Sequence, residues 1–175
     1  GGTNAMRAAG LGAGVLTGFG DMAKGIAAIM IARLIAPGNE IAEAFSGIAV
    51  VAGHNWPIYI RFKGGAGTGP NVGAATALWP IVALIMIPTV PLVLFATGYA
   101  SVASTVACAA IVVIFVWRAL VAKQSLAYVI YSIVALILVM FALRPNYLRL
   151  LEGTERMVGP RANRRVQANK ERHQD

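Results

Sequence analysis

The sequence predicts an all-α fold, a polytopic integral membrane helix bundle with about six transmembrane helices. Three observations predict it. Hydrophobic residues fill 58% of the 175 positions and charged residues only 13%, about half the charged share of an ordinary soluble domain. Apolar runs of the length needed to cross a hydrocarbon core, about 17–25 residues, recur along the chain. Basic residues flank these runs and crowd the segment from Arg156 onward, as the positive-inside rule expects. The net charge of +8 therefore points to a membrane surface and not to nucleic acid.

Residues 1–10 are small and polar, with Thr3, Asn4 and Arg7, and lead into a first span over 11–36. Gly1-Gly2-Thr3-Asn4 is no signal peptide, because no basic stretch precedes an apolar one. Asp21 and Lys24 interrupt the first span and, three apart, share one helix face. Such a pair faces a bundle interior or a water-filled cavity, or it is a local ion pair that only sets packing. Pro37-Gly38-Asn39-Glu40 reads as a turn. A second span covers 41–60, with Trp56 and Tyr59 near its end, where interfacial aromatics belong.

Residues 53–69 are the least ordinary stretch. His54, Arg61 and Lys63 stand beside Gly64, Gly65 and Gly67, and another apolar segment follows. Glycines bring backbone N–H groups close to a ligand, and a helix start adds free donors and a positive dipole end. The stretch is either an anion cradle or a tight inter-helix turn with positive flanks; no Walker or Rossmann motif is complete.

Pro80, Pro88 and Pro91 punctuate 70–97, and two clear spans follow at 101–117 and 125–143. Arg61 and Lys63 place the glycine loop on the cytoplasmic side, and the basic tail belongs there too. An even number of crossings must join them. Splitting 70–97 at Pro80 into a short helix (69–79) and a fuller one (81–97) supplies four, the short piece being tolerable only if its neighbours cover it. The transmembrane domain then covers 1–155. The tail, 156–175, is expected to be disordered or to lie on anionic headgroups.

This topology puts three polar clusters on one face: Thr3-Asn4 with Arg7; His54 through Thr68; and Arg144-Pro145-Asn146 with Arg149, Gly153 and Glu155. Arg7, Lys63 and Arg149 form a cationic centre suited to one or two phosphates, which arginine can bind bidentately. Cys108 is the single cysteine and lies in an apolar run, so neither a disulfide framework nor a Cys/His metal cluster is available. No acyl-enzyme serine element of the G-x-S-x-G type is present. His54 is either a structural hydrogen-bonding group at a helix end or a base. A site of cations and backbone donors suits a reaction with a good leaving group, positioning two phosphorylated reactants and stabilising developing negative charge.

Gly1-Gly2-Thr3-Asn4-x-x-Arg7 resembles the end of the first motif of the bacterial membrane glycerol-3-phosphate acyltransferases of the acyl-phosphate-dependent (PlsY) family. Asp21-x-x-Lys24-Gly25 is similar to a further element of that family. Gly53-His54-x-x-Pro57, with Phe62-Lys63-Gly64-Gly65-x-Gly67, looks like its second motif. Asn146-x-x-Arg149-Leu150-x-x-Gly153-x-Glu155 looks like its third. Order and spacing agree from residue 1 to about 155.

The resemblance implies transfer of a fatty acyl group from acyl phosphate to the 1-hydroxyl of sn-glycerol 3-phosphate in phospholipid biosynthesis, giving lysophosphatidate. It implies no cofactor, no metal, membrane lipids as surroundings, a monomer, and a bacterial inner-membrane location with the site on the cytoplasmic face. By position, Thr3, Asn4, Arg7, Lys63, Gly64, Gly65, Gly67 and Arg149 would bind phosphate groups, and His54, Asn146 and Glu155 would form and order the catalytic centre. The family fold has seven transmembrane helices, and its motif-one serine would fall ten residues before Arg7, ahead of Gly1, so the chain is expected to be an N-terminally truncated or divergent member. Ala66 stands where the family has a lysine, and Leu143 where it has a histidine. Two other readings remain: a catalytically impaired paralogue that binds lipid or phosphate, motivated by Ala66 and Leu143, and a small membrane transporter, motivated by Asp21 and Lys24.

Overall fold

The computed structural model describes residues 1–158, and every regular element among them is helical. The elements are α1 (Gly2–Ile35), α2 (Glu40–Asn55), a 3-10 turn (Ile58–Ile60), α3 (Thr68–Leu78), α4 (Ile81–Thr97), α5 (Ala100–Val121), α6 (Leu126–Ala142) and α7 (Arg144–Leu151). Local chemistry sets the boundaries. The Asn39 side chain accepts the Ala42 N–H at 3.0 Å to start α2, and the Ser125 hydroxyl accepts that of Ala127 at 3.2 Å to start α6; both are N-caps. Trp79, held extended ahead of Pro80, ends α3 because a residue before proline avoids the helical region. Gly98 closes α4 in the left-handed conformation. Pro88 and Pro91 lie inside α4 without breaking it.

The split at Pro80 that crossing parity requires is thus present. α1 and α5 are long and apolar enough to cross a membrane, and α6 with α7 forms a further candidate bent by 57°. α3, with 11 residues, extends only about 16 Å at 1.5 Å per residue. Its neighbours cover it: Pro70, Asn71, Val72, Gly73, Ala74, Ala75 and Leu78 are buried. The outer surface is apolar instead, with Leu16, Leu34, Leu84 and Leu120 exposed, as befits a bundle whose solvent is lipid.

Backbone contact between α1 and α3 fixes the centre of the fold. A side chain at Gly25 would run into the Pro70 carbonyl oxygen, and one at Gly73 into that of Met22, so only glycine lets these helices approach so closely. Behind them, the Tyr131 hydroxyl donates to Asn71, lying 2.7 Å from its Oδ1 and 3.0 Å from its carbonyl oxygen. The Asn71 amide in turn donates to Cys108 Sγ at 3.3 Å. On the opposite face, Arg33 grips Glu43 through two hydrogen bonds of 3.1 and 3.0 Å, and Tyr128 donates to the same carboxylate at 3.0 Å.

Two segments differ from expectation. Residues 2–8 are helical, not a loose polar lead-in. They double back at Ala9 and Gly10 (φ 85°), so that Gly2 and Met6 lie against Gly14. The tail, expected to leave the bundle at Arg156, instead begins docked on it: the Val158 N–H donates to the Gly98 carbonyl at 2.8 Å, and Val158 is buried. The rest of the basic tail, 159–175, lies outside the described residues.

Candidate active site

His54 sits in the last turn of α2, where carbonyls lack intrahelical partners. The His54 and Asn55 carbonyls accept the N–H groups of Gly65 and Gly64, both at 3.2 Å. The glycine loop therefore docks on the end of α2, and two donors expected to face a phosphate are engaged by the chain itself. Gly67 follows with φ +79°, and a side chain there would also strike Asn55 Oδ1. This left-handed residue caps α3. The first helical bond of α3 is Asn71 N–H to Gly67 O at 3.0 Å, so the N–H groups of Thr68 and Gly69 precede it. Thr68 Oγ1 is buried and has no partner among the described residues. The donors of this stretch without an assigned partner thus lie at Thr68 and Gly69, beyond the Gly64 and Gly65 expected.

Close packing of α1 on α3 brings Asp21 beneath this loop. Its Oδ1 lies 3.0 Å from Lys24 Nζ and 3.6 Å from His54 Nδ1. Asp21 is buried, whereas the Lys24 side chain is 62% exposed. The two form a local ion pair, of which Asp21 alone is on the cavity wall. The other edge of the His54 ring, carrying Nε2, lies against Gly65 and Gly1.

The third cluster is built by the bend between α6 and α7. Glu155 is buried with both oxygens bound: Asn146 Nδ2 donates to Oε1 at 3.1 Å and Ser101 Oγ to Oε2 at 2.8 Å. Its N–H donates to the Arg149 carbonyl at 2.9 Å. Arg7, on the doubled-back limb, donates from Nη2 to the Arg156 carbonyl at 2.8 Å. The first and third clusters are thereby joined.

All three clusters line one cavity of about 750 Å³. Thr3, Asn4, Arg7 and His54 are on its wall, as are Gly64, Gly65 and Gly67 of the loop and Asn146, Arg149 and Glu155 of the third cluster. Lys63 is the exception. Arg61 and Phe62 take left-handed backbone angles (φ 54° and 60°), and the Phe62 N–H donates to Pro57 O at 3.0 Å. This curl leaves Lys63 exposed and off the cavity wall. The cavity also has an apolar lining, from Val15, Phe19 and Met22 of α1 and from Ile87, Val90 and Leu94 of α4. Phe19 and Ile87 are exposed, so this apolar lining reaches the outer surface.

Sequence reasoning left three residues out of the site. Asp21 had a signal, being charged inside a span. Arg156 lay at the head of a charge run that reads as a tail. Ser101 had no signal beyond a run of small residues.

The family profile described as glycerol-3-phosphate acyltransferase matches residues 1–153. The chain belongs to the glycerol-3-phosphate acyltransferase family. It is 40% identical over 159 residues to the glycerol-3-phosphate acyltransferase of Rubrobacter xylanophilus, covering 91% of this chain and 77% of that protein. It is 36% identical over 165 residues to that of Clostridioides difficile, covering 91% and 78%. The crystal structure of PlsY (YgiH), an integral membrane glycerol 3-phosphate acyltransferase, in its glycerol 3-phosphate form superposes with a TM-score of 0.80 at 32% identity, covering 91% of this chain and 78% of that one. A lysophosphatidic acid form of the same protein matches equally well, with a TM-score of 0.80. Within this acyltransferase fold, both departures from the motifs, Ala66 and Leu143, face the cavity.

Proposed function

We propose that the protein transfers a fatty acyl group from acyl phosphate to the 1-hydroxyl of sn-glycerol 3-phosphate, at the cytoplasmic face of a bacterial inner membrane. The observation that carries this reading is one cavity lined both by arginines and helix-start donors and by apolar residues, two of which are exposed on the outer surface. Arg7, Arg149 and the donors at Thr68 and Gly69 would hold phosphate groups, and the α1–α4 cleft would take the acyl chain. In the reaction the 1-hydroxyl oxygen bonds to the acyl carbonyl carbon. The bond from that carbon to the phosphate oxygen breaks, and phosphate leaves with the electron pair. His54 takes the hydroxyl proton on Nε2, while Asp21 orients the ring. Positioning and charge stabilisation supply most of the acceleration. Family membership favours this reading over a transporter.

The test is incubation of the full-length protein in lipid vesicles with radiolabelled glycerol 3-phosphate and palmitoyl phosphate. Labelled lysophosphatidate is expected; its absence would remove the proposal. Ala66 and Leu143 on the cavity wall support a second reading, a paralogue that binds glycerol 3-phosphate without turnover, and binding without product would select it.

A further inference from the structure

We propose that Arg156 is a phosphate-binding residue of this cavity. The inference rests on the acyl-transfer reading for the identity of the phosphates and on geometry for everything else. Arg156 lines the cavity although it begins the basic tail. Its backbone is anchored on both sides. Glu155 before it is buried with both carboxylate oxygens bound, and Val158 after it is hydrogen-bonded to Gly98. The Arg156 carbonyl holds Arg7 Nη2 at 2.8 Å, which sets the two arginines side by side at the cavity. Besides its burial, Arg7 feels the positive charge of Arg156, the opposing negative charge of Glu155 and the positive charge of Arg149, in that order.

Among the described residues, none of these three guanidinium groups forms a salt bridge; those present are Lys24 with Asp21 and Arg33 with Glu43, and His54 lies 3.6 Å from Asp21. Of the carboxylates on the same wall, Asp21 is paired with Lys24, whereas Glu155 is hydrogen-bonded to the neutral Asn146 and Ser101 and offsets part of the arginine charge at Arg7. Three arginines against the single Glu155 carboxylate leave an excess of positive charge that a dianion would balance, and planar forks bind phosphate oxygens in pairs. Lys63 is not on the cavity wall, and Ala66 and Leu143 contribute no charge. With two phosphorylated reactants to hold, Arg156 supplies the cation that those positions do not.

Arg156→Ala separates the side chain from the backbone, because the carbonyl that holds Arg7 is retained. KM is measured for glycerol 3-phosphate and for palmitoyl phosphate, alongside kcat. The loss of one charge-assisted contact is expected to raise one KM roughly tenfold or more, with kcat changed far less. The substrate whose KM rises identifies the phosphate bound. Adding Ala66→Lys is expected to bring that KM back toward its original value, which a disturbed fold would not allow. Unchanged KM for both substrates overturns the proposal. A wild-type protein without acyl transfer would defeat the acyl-transfer reading instead. Calorimetric binding of glycerol 3-phosphate and inorganic phosphate then tests Arg156: weaker binding of either by Arg156→Ala supports it, and unchanged Kd for both overturns it.

Discussion

His54 Nδ1 stands 3.6 Å from Asp21 Oδ1, joining the end of α2 to the middle of α1 beneath the glycine loop. The carboxylate is buried and shared with Lys24. It faces one ring nitrogen, while the other lies against Gly65 and Gly1, an arrangement that orients the ring.

If His54 takes the hydroxyl proton, His54→Ala lowers kcat by roughly a hundredfold or more, the usual range for loss of a general base. Asp21→Asn keeps the shape and removes the charge, and is expected to cost roughly tenfold in kcat. Steady-state kinetics at saturating substrates checks both. A His54→Ala protein with undiminished kcat would reduce the histidine to a loop support.

Gly67→Ala tests the cradle. The residue is left-handed and its added methyl group would meet Asn55. A loss of about 1–2 kcal/mol from the backbone term alone is expected, together with a raised KM for glycerol 3-phosphate. Thermal unfolding and kinetics on the same preparation separate the two effects.

Much of the fold was legible in the sequence. The apolar runs delimited α4, α5 and α6 closely because hydrocarbon thickness constrains both composition and length. Crossing parity required the break at Pro80. The parts not legible depend on particular contacts. The doubling-back of residues 2–8 turns on Gly10 and on the fit of Met6 against Gly14, which has no periodic signature. Lys63 leaves the site because two non-glycine residues, Arg61 and Phe62, adopt left-handed angles, which composition does not disclose. Arg156 reads as solvated tail because its docking rests on a backbone bond two residues further on. In the site itself, spacing brought together Arg7, His54, Asn146, Arg149 and Glu155, whereas Asp21 needed the Gly25–Gly73 approach to place it.

Glu155→Ala would remove the acceptor shared by Ser101 and Asn146. Leaving buried donors unpaired costs about 1–3 kcal/mol each, so the unfolding temperature should fall by several degrees and kcat should fall with it. Glu155→Gln, which keeps the shape and one acceptor, should lose less. Unfolding temperatures of the two variants provide the comparison.

Ala66→Lys combined with Leu143→His restores a cation and an imidazole to positions that face the cavity. An active enzyme of this design should gain in kcat/KM, because added charge stabilises the phosphate leaving group. No gain would favour the binding-only paralogue.

The choice of donor tests the central claim most directly. Inorganic phosphate release and lysophosphatidate formation are measured together with palmitoyl phosphate, and lysophosphatidate formation is measured with palmitoyl-coenzyme A as the alternative donor. The account predicts one phosphate released per lysophosphatidate formed from palmitoyl phosphate, and no lysophosphatidate from the thioester. Lysophosphatidate formed from the thioester, or none formed from the acyl phosphate, would contradict it.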